Sequence, residues 1–136
     1  MRIVVIDGQG GGIGKTLCQE IKKRRPALQI VAVGTNALAT AAMLKAGADQ
    51  GATGENAIKV CAQGADIILG PMGIVLCDAM LGEITADMAA AVAKSRAHKI
   101  LIPVKRCQMT VAGVQDLPMA QYVEMAVEEA AEMLKK

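Results

Sequence analysis

A glycine-rich stretch near the start of the chain restricts the fold more than any other feature of the sequence. An apolar run, Ile3-Val4-Val5-Ile6, leads directly into Asp7-Gly8-Gln9-Gly10-Gly11-Gly12-Ile13-Gly14-Lys15-Thr16, and apolar residues then recur at helical spacing. The order is strand, glycine loop, helix. Glycine lets the backbone approach a ligand closely, and the helix that follows directs free N–H groups and a positive dipole end toward the loop. The loop therefore predicts a site for a phosphate or a carboxylate.

Beyond the loop, apolar strands alternate with helical segments. We expect further strands at 28–33, 48–52, 66–69 and 99–104, helices at 13–25, 36–46, 54–63, 74–81, 86–95 and from 118 onward, and a short edge strand at 109–114. Strands separated by helices form a parallel sheet that helices cover on both faces. The pattern thus predicts an α/β, three-layer, Rossmann-like fold with a mostly parallel, doubly wound sheet of about five strands. One domain spanning residues 1–136 accounts for the length.

Composition limits the partners of the protein. Apolar residues make up 53% of the chain, Phe and Trp are absent, and Tyr122 is the only aromatic residue. A net charge of +2 and the lack of an aromatic platform for stacked bases argue against a nucleic-acid partner. The high apolar fraction favours a homo-oligomer with a buried face between copies, although a two-sided parallel sheet also raises apolar content.

Signals for export and for metal binding are missing from the sequence. The first strand begins at Arg2, so no room is left for a signal peptide, and no apolar run approaches the ~20 residues of a membrane span. We therefore expect a cytoplasmic protein with no membrane partner. Cys18, Cys61, Cys77 and Cys107 form no C-x-x-C pair, so we expect reduced thiols and no metal site.

In an open α/β sheet the ligand lies at the carboxyl ends of the strands. The loops expected on that side cover residues 8–15, 34–36, 53–56, 70–73 and 105–107. Thr35 and Asn36 are candidates for ribose or phosphate contacts, and Thr35 and Thr53 serve equally well as helix N-caps only. Lys22–Arg25 and His98 fall on the opposite side of the sheet, away from the glycine loop.

The end of the loop, Gly14-Lys15-Thr16, also suggests a P-loop ATPase. A Walker A loop, G-x-x-x-x-G-K-[ST], needs glycine where this chain has Gln9. The deviant form of the MinD and ParA ATPases has a signature lysine where this chain has Gly10. None of the later predicted strands ends in an aspartate that would help to hold magnesium. A deviant P-loop ATPase is therefore the less favoured alternative.

The loop has a closer local match in another class of enzyme. Gly8, Gly12, Ile13 and Gly14 fit the G-x-x-x-G-I-G pattern that follows the first strand of short-chain dehydrogenases, and the loop resembles theirs. This resemblance implies a nucleotide loop and leaves an NAD(P)-dependent oxidoreductase-like enzyme as an alternative. Those enzymes use a Tyr-x-x-x-Lys pair, whereas Ala126 stands four residues after Tyr122. Gly34-Thr35-Asn36 also replaces the acid expected after the second strand.

A wider resemblance covers nearly the whole chain. The segments that carry it are 3–15, Gly34-Thr35-Asn36, Ala46-Gly47-Ala48-Asp49, 51–57, Gly70-Pro71-Met72-Gly73-Ile74, Leu81-Gly82-Glu83-Ile84-Thr85 and Ile100-Leu101-Ile102-Pro103. Together they resemble a bacterial family of small proteins filed as a domain of unknown function. The resemblance implies a compact Rossmann-like protein with no assigned reaction, substrate or catalytic residue.

Several polar residues on the ligand side are candidates for chemistry without a borrowed motif. They are Asp7, Lys15, Glu55, Asp78, Glu83, Lys105, Arg106 and Cys107. Asp7 could orient either the loop N–H groups or a ligand hydroxyl. Cys107 follows two cations, a setting that favours the thiolate. Asp78 is the one carboxylate in an apolar run and would need a partner if that run were buried.

These observations predict a protein of unknown function that binds a nucleotide or another phosphorylated small molecule at the loop Gly8–Thr16. The predicted binding residues are Asp7, Gly8, Gly10, Gly11, Gly12, Ile13, Gly14, Lys15, Thr16, Thr35 and Asn36. NAD(P) or another nucleotide is the expected class of cofactor, and no catalytic residue is assigned. A structural or adaptor protein, in which the glycines serve only close strand–helix packing, is a third interpretation.

Overall fold

Strands and helices alternate along the chain in the order that the hydrophobic pattern indicates. The computed structural model describes residues 1–104 and 108–135. Its elements are β1 (Ile3–Asp7), α1 (Gly12–Arg24), β2 (Ile30–Gly34), α2 (Ala37–Lys45), β3 (Gln50–Thr53), α3 (Glu55–Gln63), β4 (Ile67–Pro71), a 3₁₀ helix (Met72–Val75), α4 (Ala86–Lys94), β5 (His98–Ile102) and α5 (Met119–Leu134). None of the helices in these ranges has the length and apolar character needed to cross a bilayer.

The five strands form one sheet in the order β3-β2-β1-β4-β5, and every pairing is parallel. Ile3 of β1 lies opposite Ile30 of β2 and Ile67 of β4. The strand order reverses between β1 and β4. From β1, the sheet extends through β2 and β3 on one side and through β4 and β5 on the other. Connections leaving the carboxyl ends of β1 and β4 turn apart and leave a crevice. The predicted Rossmann-like α/β fold is confirmed.

Alternate residues of β1 enter separate cores on the two faces of the sheet. Ile3 and Val5 pack in a cluster with residues of α1, α2 and α5, whereas Val4 and Ile6 belong to a cluster with residues of α3 and α4. All four side chains are fully buried. Burial on both faces explains why β1 reads as a continuous apolar run. Because β1 is the central strand, its carboxyl end and the glycine loop that follows lie in the middle of the row of strand ends.

The predicted helix over residues 74–81 is wrong. A single 3₁₀ turn, Met72–Val75, is followed by a loop in which Asp78, Met80 and Leu81 have positive φ angles of 67°, 59° and 56°. The loop closes on itself, since the Asp78 N–H donates to the carbonyl of Ile84 at 2.7 Å. Ile74 and Ile84 are buried in the core, and Val75, Ala79 and Met80 between them pack against it while partly exposed. Three residues in the left-handed region are incompatible with a continuous right-handed helix over this stretch.

The predicted edge strand over residues 109–114 is also wrong. Within the described part of the chain, β5 pairs only with β4. The chain instead turns at Val111–Val114, where the Val114 N–H donates to the Val111 carbonyl at 3.1 Å and Gly113 has a φ of 87°. A glycine in this conformation favours a turn over a strand. Both valines remain exposed as a result.

Candidate functional site

A buried carboxylate organises the glycine loop. Asp7, the last residue of β1, accepts hydrogen bonds from the backbone N–H of Gly8 at Oδ1 and of Gly14 at Oδ2, both at 2.7 Å. The Gly11 N–H donates to the Gly8 carbonyl at 2.9 Å and closes a tight turn between these two bonds. Asp7 is only 4% exposed. Of its two predicted roles, Asp7 therefore orients the loop, and its oxygens face the protein.

Burial and hydrogen bonding act on this carboxyl in opposite directions. Burial raises the pKa of Asp7, the N–H groups of Gly14, Gly8 and Ile13 lower it, and the charge of Glu83 raises it; the net direction is upward. Both Asp7 oxygens accept a hydrogen bond, as an ionised carboxylate does. The N–H groups of Ile13 and Gly14 in the first turn of α1 are thus already directed at the carboxylate of Asp7. An added ligand would have to use the other donors of the loop.

Three glycines of the loop are required by the fold itself. A Cβ on Gly8 would lie 2.6 Å from the Oγ1 of Thr35, a short side chain held by Glu83, and one on Gly14 would lie 2.9 Å from the Asp7 Cβ. Gly11, at the N-cap of α1, has a φ of 72°, and a Cβ there would lie 2.9 Å from the Ala39 Cα. Real Cβ atoms do not approach heavy atoms this closely, so each of these positions needs glycine for packing.

Gly10 and Gly12 differ from the other loop glycines. A Cβ built on either residue would meet no heavy atom within 4 Å, and neither has a positive φ angle. Both residues are exposed. The fold therefore tolerates a side chain at both positions, and its absence leaves the backbone open to close approach from outside the loop.

These two glycines line a cleft at the crevice between β1 and β4. The cleft has a volume of about 940 Å³. It is lined by Asp7, Gly8, Gln9, Gly10, Gly11, Gly12, Ile13, Pro71, Gly73, Leu76, Cys77, Asp78, Ala79, Met80, Leu81, Val104, Gln108, Met109 and Met119. The glycine loop thus forms one wall, and the loop after the 3₁₀ helix forms the facing wall. The structure brings six of the predicted binding residues together here: Asp7, Gly8, Gly10, Gly11, Gly12 and Ile13.

The chemistry of the lining is mainly apolar. Met80, Met109 and Met119 contribute thioether side chains. Asp7 and Asp78 carry the only charges among the described lining residues. An anion in the cleft would therefore be held by backbone N–H groups and the dipole of α1, without a described lysine or arginine. Flexible thioethers suit a flat apolar or aromatic group.

Two predicted binding residues, Lys15 and Thr16, lie outside the lining of this cleft. Lys15 is exposed on the first turn of α1. The Thr16 hydroxyl donates to the Gly12 carbonyl at 2.9 Å. This donor is used within the helix, as is common for threonine on a helix surface. Gly14 is also absent from the lining, since its N–H faces Asp7.

Thr35 and Asn36 also lie outside the lining of the cleft, and both donate hydrogen bonds to the carboxylate of Glu83. The Glu83 Oε1 accepts hydrogen bonds from the Thr35 hydroxyl at 2.6 Å, the Asn36 amide at 2.9 Å and the Gln9 backbone N–H at 2.8 Å. The Asn36 Oδ1 also accepts from the Ala39 N–H and caps α2. The bonds from Thr35, Gln9 and Asn36 lower the pKa of Glu83. Glu83 therefore joins the loop after β4 to the loops after β1 and β2.

From the sequence, Glu83 is predicted only as a candidate for chemistry and is not among the predicted binding residues. Its partners are 47 to 74 residues away along the chain, so no local pattern connects them. One weak sequence signal places Glu83 near the glycine loop. Glu83 lies in the segment that follows β4, and this segment begins at the same edge of the sheet, the carboxyl ends of the strands, as the glycine loop.

The remaining candidates do not converge on one site. The Thr53 hydroxyl pairs with the Thr40 hydroxyl at 2.7 Å, and Gly54 takes the N-cap position of α3, so the interpretation of Thr53 as the cap is wrong. Asp78 lines the cleft and is exposed, and Glu55 accepts from the Thr85 hydroxyl outside it. The predicted ligand-side loop Lys105–Cys107 lies outside the described residues. No cluster of His, Cys, Asp or Glu suited to a metal ion occurs in the described ranges.

The fold and this cleft define the chain as a small Rossmann-like α/β protein with a glycine loop at the point where its strand order reverses. It belongs to the family described as Domain of unknown function (DUF3842), whose model matches residues 2–135. None of the curated proteins matches the chain significantly.

A solved structure with a similar fold is the dodecameric FMN-dependent UbiX-like decarboxylase from Escherichia coli O157:H7. The TM-score is 0.54 and the sequence identity 15%, and the alignment covers 100% of this chain and 96% of that chain. At this identity the likeness concerns the fold alone. It extends over the full length of the sheet and its helices.

Proposed function

We propose that the protein binds a nucleotide or a related phosphorylated molecule in the cleft between the glycine loop and the loop after β4. The observation that carries the proposal is the open space at Gly10 and Gly12. The packing of this chain does not explain glycine at these positions, whereas a phosphate resting on the backbone does. The phosphate would lie at this end of the cleft, on the N–H groups before and at the start of α1.

The size and lining of the cleft support a ligand with a flat ring. About 940 Å³ is within the usual range of small-molecule sites, roughly 300–1,000 Å³. A ring system would pack on the thioethers of Met80, Met109 and Met119, and the phosphate would stay away from the Asp78 carboxylate. FMN and NAD(P) both join a phosphate to such a ring. FMN is included because the decarboxylase of similar fold is FMN-dependent.

The P-loop alternative receives less support from these contacts. In such a loop the lysine and the threonine of Gly-Lys-Thr face the phosphates and magnesium. Here Lys15 and Thr16 do not line the cleft, and the Thr16 hydroxyl is bonded to the Gly12 carbonyl. The structural interpretation of the loop explains Gly8, Gly11 and Gly14 but not the two open glycines.

A thermal-shift and calorimetric panel tests the proposal. The panel contains FMN, NAD, NADP, and ATP with and without magnesium. A ligand at 100 times its Kd adds about 2.7 kcal/mol of stability, which raises the Tm of a domain of this size by several degrees. In the double variant Gly10→Ala/Gly12→Ala we expect the Kd of that ligand to rise by about tenfold or more. The Tm of the unliganded variant should change by no more than ~2 °C, because both methyl groups enter open space.

The matched control is Gly64→Ala. Gly64 lies between α3 and β4 at the opposite end of the sheet, where a Cβ meets only the flexible guanidinium of Arg2. This variant should bind the ligand as the wild type does. The proposal is contradicted if no member of the panel shifts the Tm, or if the double variant binds with an unchanged Kd.

We further propose that the protein is one domain over residues 1–136, acts in the cytoplasm, and assembles with copies of itself. Cys18, Cys61 and Cys77 are free thiols, as is usual in a reducing compartment. Exposed apolar side chains at Val111 and Val114 are available for a contact between copies. Light scattering coupled to size-exclusion chromatography should give a mass above that of the 14.1 kDa chain.

A further inference from the structure

We propose that Glu83, which lies outside the lining of the cleft beside Thr35 and Asn36, recognises the ribose of a nucleotide that extends from the cleft across the glycine loop. It would select ligands with free ribose hydroxyls over those with a ribose 2′-phosphate. The inference rests on the proposed function and adds a class of ligand to it.

The position of Glu83 relative to the sheet is the first argument. In nucleotide-binding folds of this topology, an acid near the end of the second strand binds the ribose hydroxyls. Here β2 ends at Gly34, and Thr35 and Asn36 follow without an acid. The Glu83 carboxylate, contributed by the loop after β4, lies 2.6 Å from the Thr35 hydroxyl and 2.9 Å from the Asn36 amide. The acid that is missing from the sequence of β2 is thus present at the same place in the fold.

The bonds of this carboxylate leave one oxygen for a ligand. Oε1 accepts all three hydrogen bonds, from Thr35, Asn36 and the Gln9 backbone. No hydrogen bond to Oε2 occurs among residues 1–104 and 108–135, and Glu83 is only partly buried. An ionised carboxylate oxygen accepts hydrogen bonds from hydroxyl groups and donates none. Oε2 therefore suits a sugar hydroxyl.

The same contacts disfavour a phosphate at this position. The three donors that a 2′-phosphate would need are already bonded to Oε1 of Glu83. These bonds also lower the pKa of Glu83, so the carboxylate is charged at neutral pH. A phosphate beside it would meet a like charge without a new donor. None of the three donor residues, Gln9, Thr35 and Asn36, carries a positive charge.

The backbone around Glu83 holds the carboxylate in place. The Glu83 N–H donates to the Met80 carbonyl at 3.2 Å, and the next residue, Ile84, is fully buried. Glu83 is thus fixed by its own backbone on one side and by the glycine loop on the other. A carboxylate held in advance loses little freedom when it binds a hydroxyl.

The experiment compares NAD with NADP, which differ only by the ribose 2′-phosphate. Calorimetry on the wild-type protein should give a Kd for NAD at least about tenfold lower than that for NADP. In Glu83→Gln the charge is removed, and we expect the two Kd values to approach each other to within about threefold, mainly because NADP binds better. Glu55→Gln removes a glutamate charge that is bonded to Thr85 and Lys59 instead. This control should keep the wild-type ratio.

The outcomes separate this inference from the proposed function. A wild-type protein that binds NADP as tightly as NAD, or more tightly, overturns the role of Glu83. Binding of FMN without binding of NAD or NADP also overturns it, although the proposed cleft stands. No binding of any nucleotide in the panel overturns both. The wild-type ratio needs no variant, so the test remains decisive if Glu83→Gln does not fold.

Discussion

The Oδ2 atom of Asp7 accepts a 2.7 Å hydrogen bond from the backbone N–H of Gly14, seven residues further along the chain. The other oxygen accepts from Gly8. One side chain at the end of β1 therefore binds both ends of the glycine loop and the first turn of α1. Because Asp7 is buried, the shape of the loop depends on this carboxylate before any ligand arrives.

Asp7→Asn should destabilise the protein by about 1–3 kcal/mol, because the Asn amide nitrogen cannot accept a hydrogen bond and one loop N–H would lose its partner. Urea unfolding followed by circular dichroism measures the change. Asp78→Asn is the control, since Asp78 is exposed in the facing loop and has a φ of 67°, a conformation that Asn tolerates. The expected change there is within about 0.5 kcal/mol. Equal stability of Asp7→Asn and wild type would show that removing a buried charge offsets the lost bond.

The deficit of Asp7→Asn should also depend on pH. The folded-state pKa of Asp7 is raised above 3.8, first of all by burial. A group with a raised folded pKa contributes stability that is present below its unfolded pKa and lost as the pH rises through the folded pKa. The wild type should therefore exceed Asp7→Asn most clearly below about pH 4 and by less at neutral pH. A deficit that grows from low to neutral pH would contradict the raised pKa.

Glu83 should show the opposite dependence. Its folded-state pKa is lowered below 4.5 by the Thr35 hydroxyl, the Gln9 N–H and the Asn36 amide. Its contribution to stability is present above the unfolded pKa and is lost as the pH falls through the folded pKa. Glu83→Gln should therefore cost stability at about pH 7 and less at about pH 3. Because the side chain is partly exposed and solvent screens its charge, the expected cost is about 1 kcal/mol or less at neutral pH.

The pH series needs its own control, and Glu55→Gln serves again. Urea midpoints of both glutamine variants would be measured across the same buffers. Glu55 contributes an ion pair with Lys59 at the surface, and such pairs are worth about 0–1 kcal/mol. A Glu83→Gln curve that runs parallel to the wild type at every pH would show that the three hydrogen bonds do not distinguish the charged from the neutral carboxyl.

The strand–loop–helix unit could be predicted from sequence because its determinants are local. The apolar run of β1 and the spacing of Leu17 and Ile21 lie within about two dozen residues, and burial on both faces leaves little alternative. The loop that replaces the predicted helix at 74–81 could not be predicted in this way. Its residues are apolar, but they divide between the lining of the cleft and contacts with the core, and composition alone does not distinguish these two surroundings.

The same physical reason limits the prediction of the candidate site. Each glycine of the loop is visible in the sequence as a residue type. The sequence alone does not separate Gly8, Gly11 and Gly14, which packing requires, from Gly10 and Gly12, which face open space. Glu83 meets Thr35 across 48 residues of chain. Such a contact depends on the order of the strands and on the path of the loop after β4, both of which are properties of the whole fold.

Thiol reactivity should report on the cleft. Burial raises the pKa of Cys18 to about 12; desolvation and the Asp78 carboxylate also raise the pKa of Cys77, but its thiol is exposed on the wall of the cleft. At about pH 8 iodoacetamide should modify Cys77 at least about a hundredfold faster than Cys18, because the Cys18 thiol is fully buried and the reagent reaches only an accessible thiolate. Mass spectrometry of peptides measures both rates. The nucleotide that raises the Tm should slow the modification of Cys77 and leave the half-buried Cys61 unchanged; equal slowing at both positions would instead indicate general stabilisation.

Leu81→Asn should stabilise the protein by about 0.5–1 kcal/mol, although it removes an apolar side chain. Leu81 is 99% exposed and has a φ of 56°, so it contributes no packing within the chain while a branched side chain occupies the left-handed region. Asn adopts this conformation more readily than Leu and, unlike Gly, does not greatly loosen the unfolded chain. Thermal unfolding at several protein concentrations measures the effect, with Leu38→Asn, exposed on α2, as the control. A loss of stability that grows with protein concentration would show that Leu81 packs against a second copy of the chain.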